Sequence, residues 1–356
     1  MCKRIGGFDI LKVMAAIMIV FHHYQQITGA FWENGINFHG GYFYFGYLVE
    51  LYFMISGFLA FKYIEKIQCG LKFIEYFRGK FFRFFPLMFI CAIASTILAH
   101  LYIILYGEVF WNIDTYSLWT ILITSLGIQA GWGIKDPMIN SPTWYISVWF
   151  LCSILLYFFV YISEKMHVSV NYFFVGIIFI GLGINYYSIR VPFFNEYTSR
   201  GYFAFFCGII IADIIVRYKN SNKIKIWYVI CILIALTLPY LIYRKYWLVQ
   251  RDMQYILTFI YYPALMFLCT SKQLVLLLDC KLVGIIGQIS YNVYMWHFPM
   301  MIAMYVLDKI LKLNINIYSV QTMIYFSIVC FLIGIGSSLF IEKPIDRFIK
   351  THFNSI

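Results

Sequence analysis

Long apolar runs dominate the chain. They fall near 8–25, 46–64, 84–105, 143–163, 170–188, 201–217, 226–243, 253–271, 288–308 and 320–341. Each approaches the roughly 20 residues that carry a helix across the hydrocarbon core of a bilayer. An eleventh stretch, 117–133, is shorter and is broken by Gly127, Gly131 and Gly133. Whether it crosses decides which loops share a side, and basic residues discriminate, because Lys and Arg collect in cytoplasmic loops. If it does not cross, every Lys and Arg except Lys135, Arg190, Arg200, Arg244, Lys245, Arg251, Lys309 and Lys312 lies on the side of the N-terminus. If it does cross, the basic loops 62–83 and 217–225 end on opposite sides. The pattern predicts an all-α, polytopic transmembrane helix bundle of about ten spans. Both termini are then cytoplasmic, and 117–133 is re-entrant or interfacial.

Composition supports this. The 356 residues are 62% hydrophobic and only 12% charged, where soluble domains run near half apolar and about a quarter charged. Disordered, collagen-like and disulfide-scaffold classes are excluded with the soluble ones. Ten spans leave no length for a sizeable soluble domain, so a single integral-membrane domain over 1–356 is expected, with none appended. The net charge of +11 reads as topology and not as a nucleic-acid surface. The nine Cys form no CxxC pair. Most, such as Cys91, Cys152, Cys207 and Cys330, lie in apolar runs as small hydrophobes, so no metal site is expected. The apolar segment after Lys3 and Arg4 lacks a cleavage site and reads as an uncleaved first span.

Ionisable residues inside spans are costly and mark candidate sites. The first run carries Asp9, Lys12, His22 and His23. Eleven helical residues turn about three full turns plus 20° and rise about 16 Å, so Lys12 and His23 share one face. Asp9 lies one turn below Lys12 on that face. Glu50 opens the second run from the outer side; Trp144 and Ser147 open the run 143–163 there, and Arg200 opens 201–217. His297 lies about nine residues into 288–308. A neutral imidazole accepts a hydroxyl proton near neutral pH, and a carboxylate can orient it. Each residue also has a plainer reading. His23 can be a helix-packing hydrogen bonder, His297 beside Trp296 an interfacial anchor, and Glu50 a structural carboxylate at a helix start. The stretch Lys62, Lys66, Lys72, Arg78, Lys80, Arg83 reads as a cytoplasmic loop ahead of Pro86. Its charge suits either topology alone or the phosphates of a nucleotide-like donor.

Six segments, in order, resemble the integral-membrane acyltransferase family 3, the bacterial O-acyltransferases of surface polysaccharides. They are FDILKVMAAIMIVFHH (Phe8–His23), ELYFMISGFL (Glu50–Leu59), FRGKFFRFFP (Phe77–Pro86), TWYISVWFL (Thr143–Leu151), ISYNVYMWHFP (Ile289–Pro299) and EKPIDRF (Glu342–Phe348). The basic residue, ten intervening residues and His of that family fall on Lys12 and His23, with Lys for the commoner Arg. Many members carry an acidic residue soon after the Trp-x-x-Ser segment; here Trp149 and Phe150 stand there. The resemblance implies an enzyme of the bacterial cytoplasmic membrane. Acyl-CoA, most commonly acetyl-CoA, is then a co-substrate with no permanent cofactor, and a glycan hydroxyl is the acceptor. Lys12, Arg78, Lys80 and Arg83 would hold the donor phosphates. His23, oriented by Glu50, would act as base or acyl carrier. Trp144, Ser147, Arg200, Ser290, Tyr291 and His297 would serve the acceptor or the oxyanion, with Arg200, Arg244 and Lys245 suited to an anionic acceptor. Implied partners are the bilayer, the glycan and polysaccharide-assembly proteins, not nucleic acid. A transporter or flippase of a glycan or lipid-linked intermediate fits the same composition, although no internal repeat of the transporter kind is visible. A structural subunit of an assembly complex is the third reading; only the enzyme consumes acyl-CoA.

Overall fold

The computed structural model describes residues 4–33, 35–41, 43–111, 117–133, 139–218, 221, 224–244 and 250–353, without the side chains of 243, 244, 250, 348–350, 352 and 353. Lys135, Lys245 and the side chain of Arg244 therefore lie outside the described residues. Among these residues the named elements are all helices and there is no β-strand. In chain order the helices are α1 (Gly6–Thr28), α2 (Leu48–Ala60), α3 (Tyr63–Gln68), α4 (Phe73–Tyr106), α5 (Leu118–Leu126), α6 (Trp144–Met166), α7 (Val170–Tyr187) and α8 (Glu196–Tyr218). They continue with α9 (Ile224–Arg244), α10 (Gln250–Ile256), α11 (Tyr262–Cys269), α12 (Lys272–Leu278), α13 (Lys281–Leu311), α14 (Val320–Ser337) and α15 (Lys343–Phe353). A π-helical stretch, Leu257–Tyr261, joins α10 to α11. In hydrocarbon every backbone N–H and C=O needs a partner within the segment, and a helix supplies it.

Seven helices among the described residues are long and apolar enough to cross a membrane: Gly6–Thr28, Phe73–Tyr106, Ser141–Met166, Val170–Tyr187, Glu196–Tyr218, Ile224–Ile242 and Val320–Arg347. Arg251–Cys269 and Lys272–Leu278, bent by 69° at their junction, make an eighth if they form one span. The protein is thus a polytopic helix bundle. Phe45–Ala60 is apolar but short, about 24 Å at 1.5 Å per residue, under the core thickness of about 30 Å. α13 is long enough, but Gln288, Ser290, Asn292 and His297 dilute its apolar character.

Two regions depart from or refine the sequence reading. The stretch 62–83, expected as a loop between spans, is mostly helical. It forms α3 and the first three turns of α4, which runs unbroken through Pro86 for 34 residues. Lys and Arg favour helix, and one proline removes one internal hydrogen bond without ending a helix held by its neighbours. The stretch 117–133 holds only the nine-residue α5, capped by Ser117 and stopped at Gly127 with φ 64°. It is too short to span and packs on α4.

The bundle has two packed groups. α13 packs against α1, α4 and α14, and α8 packs against α2, α7 and α6. α2 and α8 approach backbone to backbone. A Cβ on Gly57 would stand 1.9 Å from the Phe205 carbonyl oxygen, and one on Gly208 would stand 2.0 Å from that of Met54. Only glycine at both positions allows this contact. α9 packs chiefly on α11 and the π-helical stretch. Its apolar window is only 6% buried, which leaves it facing lipid.

Candidate active site

The site forms where α1 meets α13. Near the start of α1, Asp9 is held by two cations: Lys12 Nζ at 2.6 Å and Arg4 Nε at 2.7 Å. Two cations against one carboxylate leave this end net positive. Eleven residues further along, His23 lays its ring on that of buried His297, with centroids 5.3 Å apart and planes 25° from parallel. The two histidines are therefore in direct contact.

Hydrogen bonds define the tautomers. The amide oxygen of Gln26 lies 2.9 Å from His23 Nδ1. A carbonyl oxygen only accepts, so Nδ1 carries the proton and Nε2 holds a lone pair. His297 Nδ1 donates to the Tyr294 carbonyl at 2.6 Å, and its buried Nε2 has no partner among the described residues. His22 Nδ1 donates to the Phe38 carbonyl at 2.8 Å. Its ring meets those of His23 at 5.2 Å, His39 at 5.0 Å and Tyr44 at 4.8 Å. Four imidazoles thus form one chain of contacts, His39–His22–His23–His297. Burial lowers the His39 pKa from its ordinary 6.5. Among the described residues no group of three or more His, Cys, Asp or Glu is placed to hold a metal ion.

The loop between α1 and α2 is fastened over this cluster by Gln25. Its amide nitrogen donates to Asn37 Oδ1 at 2.9 Å, and its oxygen accepts from the backbone N–H groups of Phe38 and His39 at 2.5 and 3.1 Å. The loop also reaches the α13–α14 connection through Trp32 Nε1, which donates to the Tyr318 carbonyl at 2.8 Å.

Glu50 is fully buried, but it does not orient His23. Arg200 grips it with two hydrogen bonds of 2.6 and 2.8 Å, and Gln254 donates a third at 2.6 Å. The orienting group of His23 is the neutral amide of Gln26, one helical turn away. The Arg200 guanidinium also donates to the Gly46 carbonyl at 2.6 Å and lies 4.9 Å from the Trp144 ring centroid. These contacts lock α2, α8, α6 and α10 together.

The other sequence candidates fall in different places. The Ser147 hydroxyl donates to the Ala130 carbonyl at 2.9 Å, tying α6 to the turn after α5. Ser290 donates to the Gly287 carbonyl in its own helix at 2.7 Å. Tyr291 is turned to α4, with its hydroxyl 3.4 Å from the Phe84 carbonyl. Six residues turn a helix about 600°, so Tyr291 points well away from His297 while Tyr294 shares its face. Lys80 is buried among three rings, 4.6 Å from Tyr63, 4.7 Å from Tyr76 and 4.8 Å from Trp149. Arg83 is exposed and Arg78 half-buried. The three basic side chains at the start of α4 therefore differ in burial.

Sequence reasoning missed several groups. Tyr52 donates to the Lys12 carbonyl at 2.6 Å. Its ring lies 5.9 Å from Tyr145 and 6.2 Å from Tyr294, which lies 5.6 Å from His297. These tyrosines occupy the space between the Lys12 level and the histidine level. On the α14 side of α13, Asn292 donates to Glu342 at 2.5 Å and accepts from Ser337 at 2.8 Å. Gln26 alone had a visible signal, its i+3 spacing from His23.

Residues 5–342, nearly the whole chain, match a family model described as an acyltransferase domain. No curated protein and no solved structure matches the chain.

Proposed function

The chain belongs to acyltransferase family 3 and is an acyltransferase moving groups other than amino-acyl groups, and on that premise we propose that it O-acylates a cell-surface or exported polysaccharide from acetyl-CoA. The reading places it in a bacterial cytoplasmic membrane with ten crossings and both termini inside. The donor then approaches from the Lys12 end, where the surplus positive charge of Arg4 and Lys12 over Asp9 favours phosphates. Arg78, Lys80 and Arg83 are the further donor-side cations. The pantetheine arm runs past Tyr52, Tyr145 and Tyr294 toward the histidines.

One observation carries the mechanism: His23 has Nδ1 fixed by Gln26, while Nε2 makes no hydrogen bond to a described residue. As a general base, Nε2 takes the proton of a glycan hydroxyl as its oxygen attacks the thioester carbonyl. The C–S bond breaks, and the CoA thiolate takes that proton back from the imidazolium. As an acyl carrier, Nε2 itself attacks the thioester, the C–S bond breaks and CoA leaves as the thiolate; the hydroxyl oxygen then attacks the acyl-imidazolium, Nε2 regains its lone pair, and the hydroxyl proton ends on the CoA thiolate. His297 stands beside the reacting nitrogen on either route, and Arg200 and Trp144 shape the acceptor side.

The test is mass spectrometry of glycan O-acetylation in cells expressing wild type or His23→Ala at matched membrane levels. Acyl mass gained with wild type and lost with His23→Ala is expected. Full activity of His23→Ala would remove the catalytic assignment. Altered glycan export with no change in any acyl ester would favour a transporter.

A further inference from the structure

A cavity of about 1090 Å³ opens beside the histidine cluster. One wall is a stripe of α1: Leu11, Met14, Ala15 and Met18. The facing walls are α2 (Leu48, Leu51), α9 (Pro239, Ile242) and the α10–α11 segment (Leu257, Tyr261, Tyr262, Leu265). Two helix irregularities lie side by side in the wall opposite α1, the proline inside α9 and the π-helical stretch Leu257–Tyr261. Such breaks in regular helix hold neighbouring helices apart and recur at functional sites.

The lining is polarised. Along the helices it is apolar apart from Tyr261 and Tyr262, the latter's hydroxyl donating to the Tyr47 carbonyl, and its carboxylate and amide, Glu33 and Asn37, belong to the loop that roofs one end. At that end it adjoins the active site through shared residues. Asn37 is hydrogen-bonded to Gln25, the adjacent Phe38 carbonyl accepts the His22 Nδ1–H bond, and Phe43 and Phe45 flank the Tyr44 that packs on His22. His22 stands one turn above Met18 on the same stripe of α1. Met14 on α1 and Phe31 and Ile36 on the roof loop are exposed at its margin, so the cavity is open there to the surroundings. Its volume exceeds the roughly 300–1,000 Å³ of sites for drug-sized ligands and is far more than an acetyl group needs.

We propose that this cavity seats the hydrocarbon chain of a lipid-linked acceptor glycan, which enters from the bilayer and presents its sugar to the histidine cluster. The inference rests on the acyltransferase reading above and names its acceptor class. In the orientation given there, the roof loop lies on the outer side, where a bilayer lipid carries its headgroup. A bystander lipid has no need of a roof loop that also holds His22.

The test uses the full chain in nanodiscs and a hexadecyl β-glucoside with a photoreactive diazirine in its alkyl chain. Adducts are expected on the cavity lining around Met14, Met18 and Leu265. Excess hexadecyl β-glucoside should suppress them, and methyl β-glucoside and palmitoyl-CoA should not. Met14→Trp, a replacement at an exposed position of the rim, should cut the labelling at least fivefold; Leu265→Trp does the same from the opposite wall. Stronger competition by palmitoyl-CoA would assign the cavity to the donor and overturn the proposal. Equal labelling of the lipid-facing Leu233 and Leu236 on α9 would also overturn it. Binding is read here without catalysis. A chain that acetylates glycan but shows no competed labelling loses the lipid site alone, whereas specific capture without transfer to any glycan removes the glycan O-acylation reading and with it the acceptor role.

Discussion

Replacing Arg200 by methionine separates a structural Glu50 from a catalytic one. Glu50 is fully buried, and three hydrogen bonds hold its carboxylate, two of them from Arg200. Removing one partner of a buried pair costs about 3–5 kcal/mol, mainly because it strands the other charge. Gln254 still donates to the carboxylate, so the loss for Arg200→Met should fall near the lower end, about 3 kcal/mol. Glu50→Gln keeps the shape and loses the charge. It leaves Arg200 with the Gly46 carbonyl, the Trp144 face and partial exposure, so about 2 kcal/mol is expected. The double variant Glu50→Leu/Arg200→Met removes both charges together. It should recover much of the loss, with a coupling of at least about 2 kcal/mol. Unfolding by SDS in mixed micelles measures these differences, and transfer rate per folded molecule is recorded alongside. Additive losses would refute the claim that the pair acts as a unit. A fall in rate of more than about 100-fold for folded Glu50→Gln would refute the structural role and put Glu50 in the chemistry.

Gln26→Leu should lower kcat about 10- to 100-fold while KM for acyl-CoA changes little, because the His23 ring loses the bond that sets its tautomer; equal kcat in variant and wild type would sink the orienting role. Gly57→Ala and Gly208→Ala should each cost about 1–3 kcal/mol by forcing α2 and α8 apart, read as lowered unfolding midpoints. Gly176→Ala, where a Cβ meets nothing within 4 Å, is the control and should be neutral or slightly stabilising. Burial lowers the His39 pKa below 6.5, so from 6.5 downward the unfolded chain binds a proton that the folded chain does not. Stability should therefore fall as pH drops from 6.5 toward 5, and His39→Gln should flatten that slope in thermal unfolding; an unchanged slope would show that His39 does not cause it.

The helices were readable because hydrocarbon imposes one requirement on every span, and length with apolarity records it. α4 shows where that signal stops. Lys72 to Arg83 looked like a loop because hydropathy measures burial in lipid, whereas the helix there rests on α3 through Tyr63, on α6 through Ser153 and on its own backbone. The site divides the same way. Lys12 and His23 lie on one helix, and their common face follows from 3.6 residues per turn. Glu50 and Arg200 are 150 positions apart, and Gln254 lies a further 54 along the chain. Burial of Glu50 in a span requires that a partner exist, but chain spacing cannot choose among candidates on other helices. The family resemblance suggested His23 as the group Glu50 serves, while the actual partner came from α8, brought in by two glycines at the α2–α8 contact. His39 carried even less signal, since it sits in a connection with no periodicity and reaches the cluster only because Gln25 ties the loop down. Where a polar group is costly, sequence marks it; which neighbour repays that cost is decided by backbone approach, and here by residues without side chains.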